Sequence, residues 1–192
     1  MFYGPNFSEY FSLISNTTVS KSLGVPKFNP VVKFNQVFLD NYNSYYNGQN
    51  HIHLQEIQIW VNNKNIADRE GSGGWGYRMI RGAYDTNNYP SGRINDNIIN
   101  GEVAHTNSTR DEYLGIKLPY PVNFNDIQAI VIYNRQGDIG ERIRGAYINI
   151  ALDYSYDSQG TNRDSHIWSR QIVGGEEYKA KYFLIKGPAF NT

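Results

Sequence analysis

The stretch that decides the fold runs from Asn95 to Ile150 and reads NDNIINGEVAHTNSTRDEYLGIKLPYPVNFNDIQAIVIYNRQGDIGERIRGAYINI. Short apolar runs alternate in it with turns rich in Asn, Asp, Gly and Pro, and a dense group of Arg, Asp, Glu and His lies between them. Short strands separated by such turns are typical of β-sandwiches and barrels. The stretch therefore predicts a rigid β-scaffold that displays polar loops, the usual arrangement of a binding module.

The same signals continue on both sides of this stretch, and no helix longer than about two turns is predicted at the helical 3.6-residue period. The predicted strands cover residues 31–39, 52–61, 113–118, 127–133, 146–153, 167–173 and 181–186. They predict one all-β domain over residues 31–192, an antiparallel β-sandwich or jelly roll. Residues 1–30 carry Pro5, Pro26 and Pro30, and they predict an extended N-terminal arm that packs on the domain or on a partner.

Composition narrows the class of protein. The 192 residues carry no net charge at pH 7, so no general attraction to nucleic acid or to an anionic membrane is expected. The absence of cysteine excludes disulfides, thiol catalysis and Cys-ligated zinc. The first 20 residues lack a basic start and a continuous apolar run, so neither a signal peptide nor membrane insertion is expected. We expect folding in the cytoplasm and a final location in a virion, or outside the cell without classical secretion.

No catalytic motif is recognisable, and an enzyme is not predicted. The chain contains no GxSxG, and its histidines lack the HExxH spacing. A pair of distant carboxylates with glycosidase geometry stays open as an alternative. Residues 71–76 spell GxGxxG, but they do not lie between a strand and a helix, as a dinucleotide site requires. This stretch is interpreted as a flexible loop, in which Trp75 is either an anchor or a stacking residue for a ligand.

Four pieces of the chain, in order over about residues 31–187, together resemble the sequence pattern of discoidin-like, galactose-binding-like domains. Residues 53–60 with 65–67 resemble the pattern "LxLxEIEVW…NIA", residues 94–97 resemble "A-I/V-D-G-N", and residues 113–118 resemble "W-x-x-V/I-D-L". Residues 127–135 and 141–146 resemble "I-x-x-I-x-I-Y-N-R…ER-L-x-G-A". The resemblance implies an eight-stranded antiparallel jelly-roll sandwich that binds sugars, phospholipid headgroups or protein partners and is generally not catalytic. Similar domains occur in proteins of large DNA viruses.

The resemblance also implies a sugar site. Fucose-binding lectins of this fold carry a His, then Arg-x-Asp, then a further basic residue, and His105, Arg135, Asp138 and Arg142 are similar to these positions. This chain reads Arg-Gln-Gly-Asp where the family has Arg-x-Asp. An Arg offers several donors to neighbouring hydroxyls and a carboxylate accepts from them. Alternatively, Arg135 and Arg142 pair with Asp138 and Glu141 and only hold a loop.

A structural Ca²⁺ is implied in the same way. Related domains often bind one ion through the D-G-N loop and a Glu on the "AEIEV" strand, which points to Asp96, Asn97 and Glu56. Hard oxygen donors suit Ca²⁺. The alternative is that Asn-Asp-Asn is ordinary turn chemistry. His51, His53 and His166 are interpreted as solvated or packed side chains.

These observations predict a non-catalytic, lectin-like carbohydrate-binding module, displayed on a virion or another multivalent assembly. The rival hypothesis is a structural or assembly protein that uses the lectin fold without sugar binding. The expected partners are a glycan, proteins bound through the N-terminal arm, and further copies of the chain. Nucleic acid is not an expected partner.

Overall fold

The computed structural model describes residues 20–22, 32–41, 51–68, 76–99, 102–109, 112–153, 166–173 and 182–189, with only the backbone for Ser20–Ser22 and Asp138. Its strands, β1 to β11 in chain order, are Ser20–Ser22, Lys33–Asp40, His53–Val61, Lys64–Asn65, Tyr77–Arg81, Ala104–His105, Tyr113–Asn123, Ile127–Asn134, Tyr147–Ala151, Trp168–Gln171 and Tyr182–Lys186. Short 3-10 helices span Ser91–Asn95, Phe124–Asp126 and Asp138–Ile143. Within these ranges no helix has the length and apolar character needed to cross a bilayer.

The strands form two sheets. The first has the order β1-β11-β8-β3-β4, with β6 paired to the start of β3, and the second has the order β10-β9-β2-β7-β5. The pairs are antiparallel, except that β1 runs parallel to β11. The all-β prediction is confirmed, and two such sheets are consistent with a β-sandwich. β1 lies within the stretch predicted as an arm, of which residues 1–19 and 23–30 lie outside the described part of the chain.

Alternating side chains of both sheets make one hydrophobic core, because successive residues of a strand point to opposite faces. The first sheet contributes Ile57, Ile59, Ile130 and Ile132, and the second contributes Val37, Leu39, Leu114, Ile116, Ile148 and Ile150; all are fully buried. The opposite face of the first sheet carries a second buried cluster, which includes Trp60, Val131 and Tyr133. The prediction that both faces of β3 are covered is confirmed by its burial from His53 to Trp60.

The pairing of β3 with β8 brings several polar residues together at one end of the first sheet. Leu54, near the start of β3, lies opposite Asn134, the last residue of β8. His53 and Arg135 are therefore neighbours, although they lie 82 residues apart in the chain. β6 adds His105, which lies directly opposite His53.

Candidate functional site

The candidate site is a cluster of imidazole, guanidinium and phenol side chains, which we call the His–Arg cluster. It consists of His51, His53, Tyr84, Tyr89, His105, Arg135 and Arg142. Three of the four residues implied by the lectin resemblance, His105, Arg135 and Arg142, come together here. The side chain of Asp138, and all of Trp75, lie outside what the structure describes.

The rings of the cluster pack closely around His105. Its ring centroid lies 3.7 Å from that of His53, 4.6 Å from His51, 4.8 Å from Tyr84 and 5.1 Å from Tyr89. His53 and His105 are buried, whereas Tyr84 is 56% exposed. Tyr84 thus presents an aromatic surface to solvent beside the polar groups, a combination that suits a sugar ring with an apolar face and hydroxyl edges.

Backbone contacts hold Tyr84 and the histidines in place. The peptide N–H of Tyr84 donates to the carbonyl of His105 at 3.1 Å, and that of Thr106 donates to the carbonyl of Ile52 at 3.1 Å. The amide of Ile52 donates in return to the hydroxyl of Thr106 at 3.0 Å. These bonds join three separate chain segments at the site, so its geometry depends on the sheet rather than on one loop.

Hydrogen bonds also define the tautomers of the histidines. Nδ1 of His51 and Nδ1 of His105 lie 3.0 Å and 2.5 Å from the carbonyl oxygen of Thr106. A carbonyl only accepts, so each Nδ1 carries the proton and each Nε2 keeps a lone pair. Nδ1 of His53 lies 3.3 Å from Nη1 of Arg135. An arginine only donates, so in neutral His53 the proton is on Nε2, which is buried and has no hydrogen-bond partner.

Electrostatics keep two of these rings neutral. Burial, followed by the proximity of His105 and Arg135, lowers the pKa of His53 from 6.5 to about 2. Burial also lowers the pKa of His105 to about 4, although the bond to Thr106 acts in the opposite direction. The pKa of Arg142 is lowered by its partial burial and then by Arg135. At neutral pH His53 and His105 are therefore uncharged, and the two arginines carry positive charge.

A 3-10 turn positions both arginines. Arg135 follows the last residue of β8, and Arg142 lies in the helix Asp138–Ile143. The side-chain amide of Asn134 donates to the carbonyl of Gly140 at 3.2 Å, and the amide of Gly140 donates to the carbonyl of Gly137 at 2.9 Å. The suggested pairing of these arginines with Glu141 is not seen among the described ion pairs.

The three imidazoles also have the spacing of metal ligands, since one nitrogen from each lies within 4.8 Å of the others. Zn²⁺ accepts such nitrogens at about 2.0–2.1 Å. Against this, the guanidinium of Arg135 contacts His53 and repels a dication. Sequence spacing predicted no metal site at these histidines, and the cluster arises from strand pairing.

A second site lies around Glu56, where the calcium ligands were expected. Glu56 Oε2 accepts from the backbone N–H of Asp96 at 3.2 Å, and Oε1 is buried without a hydrogen-bond partner. The side-chain amide of Asn97 donates to Asp68, and that of Asn65 donates to Asn97 Oδ1 at 3.0 Å. Burial, then the charges of Asp96 and Asp68, raise the pKa of Glu56 from 4.5 to about 9. This oxygen-rich set fits a hard cation, and the sequence analysis had not included Asp68.

No family model, curated protein or solved structure matches the chain.

His51 and His53, which the sequence predicts to be solvated or packed side chains, belong to the cluster, and so do Tyr84 and Tyr89, which no motif marks. One signal for the histidines was available: residues two apart on an extended segment point to the same face. Nothing in the local sequence connects Tyr84 to His105, because their contact depends on the bridge between Ala83 and Thr106.

Proposed function

We propose that the protein is a non-catalytic carbohydrate-binding module with a galactose-binding-like jelly-roll fold. Its glycan contacts the His–Arg cluster, and binding is strengthened by display on a virion or another multivalent assembly. The observation that carries the proposal is the convergence of His105, Arg135 and Arg142 beside the exposed ring of Tyr84. Donors, acceptors and an aromatic surface are together in one place.

The cluster offers both kinds of hydrogen-bonding group that sugar hydroxyls need. Arg135 and Arg142 donate, while the Nε2 atoms of His51 and His105 accept because their Nδ1 protons are engaged by Thr106. An exposed tyrosine covers apolar C–H groups of a sugar ring at a small entropic cost.

We also propose a structural Ca²⁺ held by Glu56, Asp68, Asp96 and Asn97. The support is the buried, unpartnered Oε1 of Glu56 among further oxygen donors. Ca²⁺ would allow Glu56 to ionise and would fix the loop that follows the 3-10 helix Ser91–Asn95.

The first test is a glycan-array screen of the multimerised full-length protein, in which Arg135→Ala is compared with the wild type. We expect the variant to lose glycan binding, because it removes a charged donor whose hydrogen bonds contribute about 1.5–3 kcal/mol. The variant should remain folded, with a modest loss of stability because Nδ1 of His53 loses its hydrogen bond to Arg135, and thermal unfolding measures this.

Arg170→Ala is the matched control, since Arg170 is also half-buried but lies on β10 of the other sheet. Full glycan binding by a folded Arg135→Ala protein would refute the assignment of the site. A blank array with folded, multimerised wild type would instead favour the assembly role.

A further inference from the structure

The His–Arg cluster holds two positive charges, on Arg135 and Arg142, without a counter-ion among the described side chains. The ion pairs in the described part of the chain join Arg93 to Glu102 and Lys117 to Asp153, and neither involves Arg135 or Arg142. Partial burial and then the nearby charge of Arg135 lower the pKa of Arg142, as expected for two like charges held in one cluster. An anion placed between them would relieve this repulsion.

A buried donor at the same place lacks an acceptor. His53 is 2% exposed, and its Nε2 has no hydrogen-bond partner. Because Arg135 donates to Nδ1, the proton of neutral His53 lies on Nε2, and the orphan group is a donor. Burying an unsatisfied donor costs roughly 1–3 kcal/mol, so an incoming acceptor oxygen is favoured here.

We infer that the glycan bound by this site is acidic and that its carboxylate or sulfate group is held by Arg135 and Arg142. This inference rests on the proposed carbohydrate-binding function and adds the ligand class. Planar guanidinium groups form paired, charge-assisted hydrogen bonds with such oxyanions. The remaining hydroxyls of the sugar meet the Nε2 acceptors of His51 and His105.

A metal ion is the less favoured occupant of the cluster. Ligation by Nδ1 of His53 would displace Arg135, and ligation by Nε2 would turn a protonated Nδ1 toward the Arg135 donor. Both arrangements place a dication beside two guanidinium groups. An anion requires neither change.

The test uses the multimerised full-length protein on an array of matched glycans: neutral oligosaccharides, their sialylated forms and their sulfated forms. We expect at least one acidic series to bind about tenfold better than its neutral parent, since hydrogen bonds to charged groups are the stronger kind. The comparison of the two acidic series identifies the anionic group. Binding should also weaken as the salt concentration rises.

Arg142→Gln keeps a polar side chain but removes the charge, and it should weaken acidic-glycan binding about tenfold. Arg144→Gln is the matched control, because Arg144 is exposed and lies two residues further along the chain. Thermal unfolding of both variants establishes that they are folded. Unchanged acidic-glycan binding by a folded Arg142→Gln protein would overturn the inference.

The remaining outcomes separate the inference from the function on which it rests. Equal binding of neutral and acidic partners would overturn the inference and leave the lectin function standing. A folded protein that binds no glycan would overturn both. Binding that is lost in EDTA and restored by Zn²⁺ but not by Ca²⁺ would overturn the inference in favour of a three-histidine metal site.

Discussion

At the scale of single residues, Glu56 shows how tertiary structure changes the chemistry of a side chain. Its place in a calcium-binding motif predicts an ionised carboxylate, whereas burial and the nearby charges of Asp96 and Asp68 raise its pKa to about 9 in the folded protein. Without a cation, Glu56 is therefore protonated at neutral pH. A bound Ca²⁺ would have to displace this proton, so its affinity should increase with pH.

Proton binding by Glu56 also makes the stability of the folded protein depend on pH. The folded protein holds the Glu56 proton more tightly than the unfolded chain, so the contribution is fully present below pH 4.5 and is lost as the pH rises toward 9. We predict that Glu56→Gln stabilises the calcium-free protein at pH 8 and removes a slope of about 1.4 kcal/mol per pH unit. Urea unfolding at several pH values measures this.

Adding Ca²⁺ should change the difference in stability between the wild type and Glu56→Gln. Added Ca²⁺ should stabilise the wild type at pH 8 but not Glu56→Gln, because only the carboxylate can ionise and bind the ion. Glu102→Gln is the control, since the Glu102 side chain is 58% exposed, pairs with Arg93 and is not one of the proposed ligands. If Ca²⁺ stabilised the wild type and Glu56→Gln equally, Glu56 would not be a ligand.

At the scale of elements, the turn between β8 and β9 determines where the arginines lie. Gly140 packs against the backbone so closely that a Cβ there would lie 2.4 Å from the carbonyl oxygen of Arg135. Gly137 has a φ of +82°, but a Cβ there would meet nothing within 4 Å. The two glycines are thus required for different reasons, one for space and the other for backbone conformation.

We predict that Gly140→Ala destabilises the protein by about 1–3 kcal/mol and also weakens glycan binding, because relief of the clash moves Arg135. Gly137→Ala should cost about 1–2 kcal/mol through its left-handed backbone while binding changes little. Urea unfolding and glycan binding measured on both variants test this. Equal loss of binding in the two variants would show that general loosening of the turn, not displacement of Arg135, is responsible.

At the scale of the whole molecule, the buried histidines of the His–Arg cluster are expected to lower the stability of the folded protein in acid. His53 and His105 have pKa values of about 2 and about 4 in the folded protein, against 6.5 in the unfolded chain. Their contribution to stability is fully present above pH 6.5 and is lost as the pH falls toward these values. Each histidine contributes a slope of about 1.4 kcal/mol per pH unit.

We predict that His53→Gln reduces the loss of stability between pH 6.5 and pH 4. The opposite slope from Glu56 is present in both proteins and cancels in the comparison. Chemical unfolding of the wild type and of His53→Gln at a series of pH values in this window measures the difference. Identical pH slopes in the two proteins would mean that folding does not lower the pKa of His53.

Much of the secondary structure could be predicted from the chain itself. The strands predicted over 31–39, 52–61, 127–133 and 181–186 are confirmed as β2, β3, β8 and β11, with ends that shift by one or two residues. The very short strands β1, β4 and β6 were not predicted, because two or three residues contain too little periodicity. The strand β5 was not predicted either. Of these strands, β6 contributes most to the candidate site, since it carries His105.

The sequence by itself determined an all-β chain, because strand periodicity and turn residues are local properties. It also marked His105, Arg135, Arg142 and Glu56 through motifs. Only the tertiary structure brought His51, His53, Tyr84 and Asp68 to these residues, and only it decided which groups are protonated. The physical reason is that cross-strand pairing joins residues such as Arg135 and His53, which lie 82 positions apart. Burial then shifts their pKa values by amounts that no local pattern encodes.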